Sequence, residues 1–283
     1  MMTFVILHYN NIEETLECLD SLEKFNSKVI VVSNSKDYNN LKKIEKRVDK
    51  LIVNEENLGF AKANNIGCNY AIEHFKPDFL CVINNDVVIE QEDFLQQVEK
   101  LYKKYKFDML GPKILPEESE SCNPFKAYKT IEEVQERIKY TEKLIKIYQS
   151  KLLRFLLKCY LSIKKVFRKK TILTNGKEDQ LGVALHGCGL IFSKKYYKKF
   201  NSVFYPETFL FHEEEFLFLR AKEKNLVTLY SPKIEIYHKE GSSVSKKYNK
   251  KKYDSLIFRN KEILKSLKLL ENEMLKQKKD VNI

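Results

Sequence analysis

DFLCVINNDVVIEQEDF occupies residues 78–94, and its reading decides the fold. The apolar residues from Phe79 to Ile83 are continuous rather than alternating, as expected of a strand covered on both faces within a parallel sheet. Asn84, Asn85 and Asp86 interrupt that run before Val87, Val88 and Ile89 resume it, and a helix is expected over 90–105. In an open α/β sheet, ligands sit beyond the carboxyl ends of the strands. Asn84 and Asp86 stand at such an end, where a carboxylate can hold a divalent cation and the cation a diphosphate. The same residues also suit a plain loop cap, and alone they do not separate the two.

Working outward, TFVILHY (3–9), KVIVVSN (28–34) and KLIVN (50–54) read as further strands. Between and after them, Leu16, Leu19 and Leu22 line one face of a helix, and NLGFAKANNIGCNYAIEHF (57–75) is a turn entering a helix. Alternation of this kind predicts an α/β fold, a sheet flanked by helices on both faces. The second half resumes with HGCGLIFSKKYYKKF (186–200), a strand entering a helix. A helix follows within YPETFLFHEEEFLFLRAKEKN (205–225), then LVTLYSP (226–232) and KIEIYHKEGSS (233–243), and a Lys-rich helix and tail at 246–283.

The chain has 283 residues, of which 43% are hydrophobic, enough to bury a substantial core. Its six cysteines are scattered without a C-x-x-C pair, so reduced thiols are expected rather than a zinc knuckle or a disulfide framework. The amino terminus lacks the pattern of a signal peptide, and no apolar run is long enough to span a bilayer. A cytoplasmic location is therefore expected.

The net charge of +12 is unevenly placed. Residues 125–175 hold 14 Lys and Arg against 4 acids, and residues 246–283 hold 12 against 5, so the remainder is mildly acidic at −5. Within the first of these stretches Lys151, Arg154, Lys158, Lys165 and Arg168 recur at helical spacing opposite Leu152, Phe155, Leu156, Tyr160, Ile163 and Phe167. That pattern suits a helix lying in an anionic membrane interface, a helix packed on the body with its lysines in water, or one that pairs two subunits as a homodimer. Charge alone would also admit nucleic acid, but no OB-fold or RRM pattern with surface aromatics accompanies it, so no nucleic-acid partner is expected.

HEEEFLFLR (212–220) sets Glu213, Glu214 and Glu215 at a helix start. Acids there complement the helix dipole. Three adjacent like charges also raise pKa values, which suits a base working near neutrality.

Taken in order, VILHYNNIEETLECLDSL (5–22), VIVVSNS (29–35), ENLGFAKANNIGCNYA (56–71), FLCVINNDVVI (79–89), HGCGLIFSKKYY (186–197), FYPETFLFHEEEFLFLRAKEKN (204–225) and IEIYHKEGSS (234–243) carry a resemblance. Together they resemble the inverting nucleotide-sugar glycosyltransferases of family two, with the GT-A fold. The likeness is strongest to the branch that builds bacterial capsule, O-antigen and rhamnose-containing polysaccharides. It implies a Rossmann-like mixed sheet over residues 1–245, with a nucleotide-sugar half at 1–115 and an acceptor and catalytic half at 183–245. The basic helical segment at 125–175 would be an insertion within it.

The resemblance also implies roles. Asn84-Asn85-Asp86 looks like the family's metal-binding D-x-D, with Asp86 on Mg²⁺ or Mn²⁺ and Asn84 facing the donor. His8, Tyr9 and Asn10, with Ser33 and Asn34, would line the nucleotide pocket, and Gly59, Lys62, Asn64 and Asn65 would approach base and phosphates. His238 matches a histidine near the metal or the leaving diphosphate, although it also suits a turn cap. His186, Gly187 and Glu215 would sit by the acceptor. Glu213-Glu214 looks like the catalytic acidic pair, with Glu214 at the position of the base. The donor would be a UDP- or dTDP-sugar, and the acceptor a saccharide carried on a lipid at the inner face of the cell membrane.

Three departures stand out. Ser33 replaces the family's usual Asp, Asn64 its frequent Arg, and Phe216 a further Asp. They leave open a second expectation, a module that binds a sugar nucleotide or a partner without transferring anything.

Overall fold

The computed structural model describes residues 1–116, 122–164, 175–239 and 252–281. In chain order the elements are β1 (Met2–His8), α1 (Ile12–Leu22), β2 (Lys28–Ser33), α2 (Tyr38–Glu45), β3 (Lys50–Val53), α3 (Gly59–His74), β4 (Phe79–Asn84), β5 (Val87–Val88), α4 (Phe94–Tyr105) and β6 (Met109–Leu115). There follow α5 (Ile131–Gln149), α6 (Lys151–Lys164), β7 (Gln180–Leu181), β8 (Gly189–Ser193), α7 (Lys194–Tyr197), α8 (Glu213–Glu223), β9 (Thr228–His238) and α9 (Lys252–Val281).

The strands form one mixed sheet in the order β3-β2-β1-β4-β8-β6-β9-β5, with β7 paired to β9. β1 to β4 are mutually parallel, and β8 runs antiparallel between β4 and β6. Phe4, Ile6, Cys81 and Ile83 face one apolar core with Leu19 and Leu22 of α1. Val5, Ile30, Val32, Leu80 and Val82 face the other, with Ala63, Cys68 and Ala71 of α3. This two-sided burial is why the strands read as unbroken apolar runs.

The sequence reading differs from the structure in places with clear causes. Val87 and Val88 do not lead directly into a helix; they pair antiparallel with His238 and Tyr237, and α4 begins only at Phe94. β6 holds a Gly-Pro in its middle, where its register with β9 shifts. The two segments 226–232 and 233–243 join in one strand, Thr228–His238, while 240–243 lie outside the described residues. The continuous helix expected over the basic segment is two, parted at Ser150, whose backbone is extended at φ −95° and ψ 125°.

α5 and α9 lie against each other with opposite directions, Gln135 bonding Glu271 while Glu142 pairs with Lys268. Val134 and Ile138 of α5, Ile263, Leu267 and Leu270 of α9, and Phe216 of α8 close a third apolar core. Helices α5 and α9 are thus built onto the back of α8. Among the described residues no helix is long and apolar enough to cross a membrane.

Candidate active site

The tip of β4 is fixed from two directions. The Asn84 N–H donates to the Cys188 carbonyl at 3.0 Å, and the Asp86 carbonyl accepts from the Lys239 N–H at 3.1 Å. Because Val87 pairs with His238, the last residue of β9 comes to rest beside Asp86. Asp86 Oδ1 lies 3.3 Å from His238 Nε2. Both residues are buried, and Asp86 Oδ1 and His238 Nδ1 lack hydrogen-bond partners among the described residues.

The turn before β8 connects this pair to the acidic helix. The His186 N–H donates to Asn123 Oδ1 at 2.7 Å, and its Nδ1 accepts from the Cys188 N–H at 3.2 Å. Its ring sits 6.3 Å from that of His238. One residue on, the Gly187 N–H donates to Glu214 Oε1 at 3.1 Å. One short turn therefore touches the β4 tip, the His238 ring and the start of α8.

At that start, Phe211 and His212 both take left-handed backbone conformations, with φ 72° and 69°. The three glutamates then part company, because successive helical positions point about 100° apart. Glu213 turns inward, where burial, aided by the charge of Glu214, raises its carboxyl well above the usual range. Glu214 is half-buried and reaches Gly187. Glu215 accepts from the Tyr128 N–H at 3.1 Å, and burial pushes its carboxyl up to about 8. It lines a separate cleft of about 470 Å³ between α5, α8 and α9. Burial pushes the neighbouring His212 down to about 4, against the pull of Glu214. Downstream, Arg220 anchors the helix through bonds to Tyr196 Oη and the carbonyls of Ser202 and Val203.

The residues expected around a nucleotide divide into two sets. His8 is buried at the end of β1, its imidazole pushed down to about 4 chiefly by burial, and Nδ1 is 2.7 Å from Thr15 Oγ1. Tyr9 is exposed, and Asn10, at φ 63°, donates its N–H to Ser35 Oγ at 3.4 Å. Lys62 is exposed on α3. Asn64 is fully buried, and both polar atoms of its amide lack a hydrogen-bond partner among the described residues.

Other members of the expected pocket hold the fold together. Ser33 Oγ donates to the Ser35 carbonyl at 2.8 Å and accepts from the Ser35 N–H at 3.2 Å, closing its own turn. Asn34 ties three segments, donating to the Gly59 carbonyl and accepting from Asn54 and from the Leu58 N–H. Asn65 clasps the backbone of Phe204 with both amide atoms. Gly59, at φ 75°, lets the start of α3 press on the Phe209 backbone, which a side chain would strike.

The reading of the sequence gave no role to Thr15 or Asn11, and named Asn85 only as the middle residue of its motif. Asn85 Nδ2 donates to Thr15 Oγ1 at 3.0 Å and to the Asn11 carbonyl at 3.3 Å. Nothing in the local pattern marks a helical threonine as the partner of a strand tip seventy residues away.

The sequence model described as Glycosyl transferase family 2 matches residues 3–199. The chain belongs to this family. The matched stretch holds Asp86, His186 and Gly187, and ends before Glu214 and His238. Comparison with curated proteins gave no match. Among solved structures, S. aureus TarS 1-349 is similar at 16% identity over 84% of this chain and 60% of that one, with a TM-score of 0.52. GalNAc-T7 with UDP, GalNAc and Mn2+ is similar at 12% identity over 84% of this chain and 43% of that one, with a TM-score of 0.53. These likenesses agree in fold with the family assignment, and the chain spans less than two thirds of either structure.

The donor set at the β4 tip fits a divalent cation. A carboxylate oxygen and an imidazole nitrogen suit Mn²⁺, and the carboxylate alone suits Mg²⁺. Buried Asp86 Oδ1, with the His238 ring 3.3 Å away and no hydrogen bond among the described residues, is an acceptor suited to a positive group. Among the described residues no cluster of three or more His, Cys, Asp and Glu forms a cage, so further positions would fall to diphosphate oxygens and water.

Proposed function

We propose that this family 2 member transfers a sugar from a nucleotide donor to a saccharide acceptor by single displacement, with inversion at the anomeric carbon. What supports this most is the His186–Cys188 turn, which meets Asn84 on one side and Glu214 on the other. A sugar held there would have its leaving diphosphate toward Asp86 and its attacking alcohol toward Glu214.

Asp86 and His238 would hold Mg²⁺ or Mn²⁺. Bound there, the cation would neutralise charge developing on the departing diphosphate. Glu214 would take the proton of the acceptor hydroxyl, which is a poor nucleophile without a base. The neighbours favour Glu214 over its flanking acids. Glu213 is buried, with its carboxyl shifted toward the protonated form, so it adds little negative charge beside Glu214. Glu215 is committed to Tyr128 on another face. The Gly187 N–H holds the Glu214 carboxylate in place.

A UDP- or dTDP-linked hexose or deoxyhexose is the proposed donor. A lipid-linked saccharide of a bacterial surface polysaccharide is the proposed acceptor, met at the inner face of the membrane. Leu152, Phe155 and Leu156 of α6 support a peripheral contact, since all three are exposed and lie on one helical face beside Lys151. Lys165 and Arg168 of the same basic stripe lie outside the described residues. The test is transfer and donor hydrolysis by purified protein with Mn²⁺ and a panel of sugar nucleotides. Donor consumption that disappears in Asp86→Ala and Glu214→Ala supports the enzyme, whereas bound but unconsumed donor contradicts it.

A further inference from the structure

The Thr15 side chain is fully buried on α1 and touches three loops at the mouth of the sheet. Its hydroxyl donates to the Asn11 carbonyl at 3.0 Å, lies 2.7 Å from His8 Nδ1, and accepts from Asn85 Nδ2 at 3.0 Å. A hydroxyl has one proton to give and two lone pairs to share. With the proton on Asn11 and one lone pair on Asn85, the remaining lone pair requires His8 to donate from Nδ1. Every bonding position of Thr15 is then used.

The three partners do different jobs. Asn11 belongs to the loop after β1 that holds Tyr9 and Asn10, His8 ends β1, and Asn85 immediately precedes Asp86. We propose that Thr15 is a positioning residue, whose hydroxyl sets the spacing between the nucleotide-facing loop at 9–11 and the cation ligand Asp86. The proposal rests on the glycosyltransferase reading above. Thr15 touches neither nucleotide nor cation; it acts through Asn11 and Asn85. A bound nucleotide and a bound cation must share the diphosphate, so the two loops have to hold their separation. Asn85 Nδ2 also reaches the Asn11 carbonyl directly at 3.3 Å, but without the hydroxyl that contact alone would join the loops.

The experiment uses the full chain and two probes, UDP and dTDP, each titrated by thermal shift and calorimetry with and without Mn²⁺. Outer-shell bonds of this kind typically carry about 10–100-fold in metal affinity. Thr15→Val is expected to cut the Mn²⁺-dependent gain in nucleotide affinity about tenfold, while Thr15→Ser, which keeps the hydroxyl, retains it. Asn85→Ala breaks the same link from the other end and is expected to show the same loss, keeping the test decisive should Thr15→Val fail to fold. In the double variant the losses should add less than fully, because both variants remove the Thr15–Asn85 bond. A Mn²⁺-dependent gain left intact in the Val and Ala variants would overturn the proposal while sparing the glycosyltransferase reading. A wild-type protein whose binding of both nucleotides ignores Mn²⁺ would overturn the two together.

Discussion

The Gly187 N–H donates to Glu214 Oε1 at 3.1 Å, and a Cβ built at Gly187 would stand 2.8 Å from that same oxygen. The glycine therefore does two things for the carboxylate: it supplies a donor and leaves room. Gly187→Ala should push the Glu214 carboxylate aside without disturbing the β4 tip. Misplacement on the ångström scale costs about 10²-fold in rate, so transfer should fall by about that much, with donor affinity in Mn²⁺ nearly unchanged. Steady-state kinetics beside calorimetric donor binding would check it.

Asp86 and His238 meet at 3.3 Å, each with a buried atom that has no hydrogen-bond partner among the described residues. Ligands that bind only the folded state raise the melting temperature by mass action. Adding UDP or dTDP with Mn²⁺ should stabilise the wild type, and EDTA should abolish most of that gain. Asp86→Ala should behave in Mn²⁺ as the wild type does in EDTA, and His238→Ala should need more metal for the same shift. Melting curves across a metal titration would measure this.

Glu215 gives a pH signature. Its folded carboxyl sits at about 8, raised by burial from an ordinary value of 4.5. Between these values the folded state keeps a proton that the unfolded chain has released, so this group's stabilising contribution is complete below about pH 4.5 and is lost as pH rises toward 8. Glu215→Gln cannot lose that proton and can still accept from Tyr128. The melting temperature of the variant minus that of the wild type should therefore climb from pH 5 to pH 8 and level off above. Buried His8 and His212, both near 4, act in the opposite sense, losing stability as pH falls below 6.5, but they are common to both proteins. A flat difference across the window would refute the assignment.

On α6, Leu152 and Phe155 are 67% and 64% exposed, unusual for large apolar side chains that share a face. Replacing both with Glu, together with Lys151→Glu, should abolish cosedimentation with vesicles containing anionic lipid. The variant should keep its donor binding, because α6 packs on α5, away from the β4 tip.

Much of this was legible in the sequence, and the residues explain why. Val82 and Ile83 announced a buried parallel strand because both faces of β4 are covered, and Asp86 stood out because it broke that run. The acidic helix start was equally plain. What stayed hidden depends on partners distant in the chain. Val87–Val88 is a strand only because His238 returns to pair with it, and no local period encodes that. Glu213, Glu214 and Glu215 look interchangeable in a row, yet α8 sends them to a buried interior, the Gly187 turn and the Tyr128 cleft. Ser33 and Asn34 were expected to line a nucleotide pocket; in the structure Ser33 Oγ closes its own turn and Asn34 ties its strand end to Asn54 and to the start of α3. Short polar side chains at a strand end suit either use, and only the geometry separates them.

Single-turnover transfer by Glu214→Gln, measured beside Glu213→Gln with donor and Mn²⁺ saturating, tests the assignment of the base most directly. Loss of a general base costs about 10²–10⁴-fold, so the Glu214 variant should bind donor normally and transfer slower by at least the lower figure, while the Glu213 variant stays active. Transfer by Glu214→Gln at close to the wild-type rate would contradict the account.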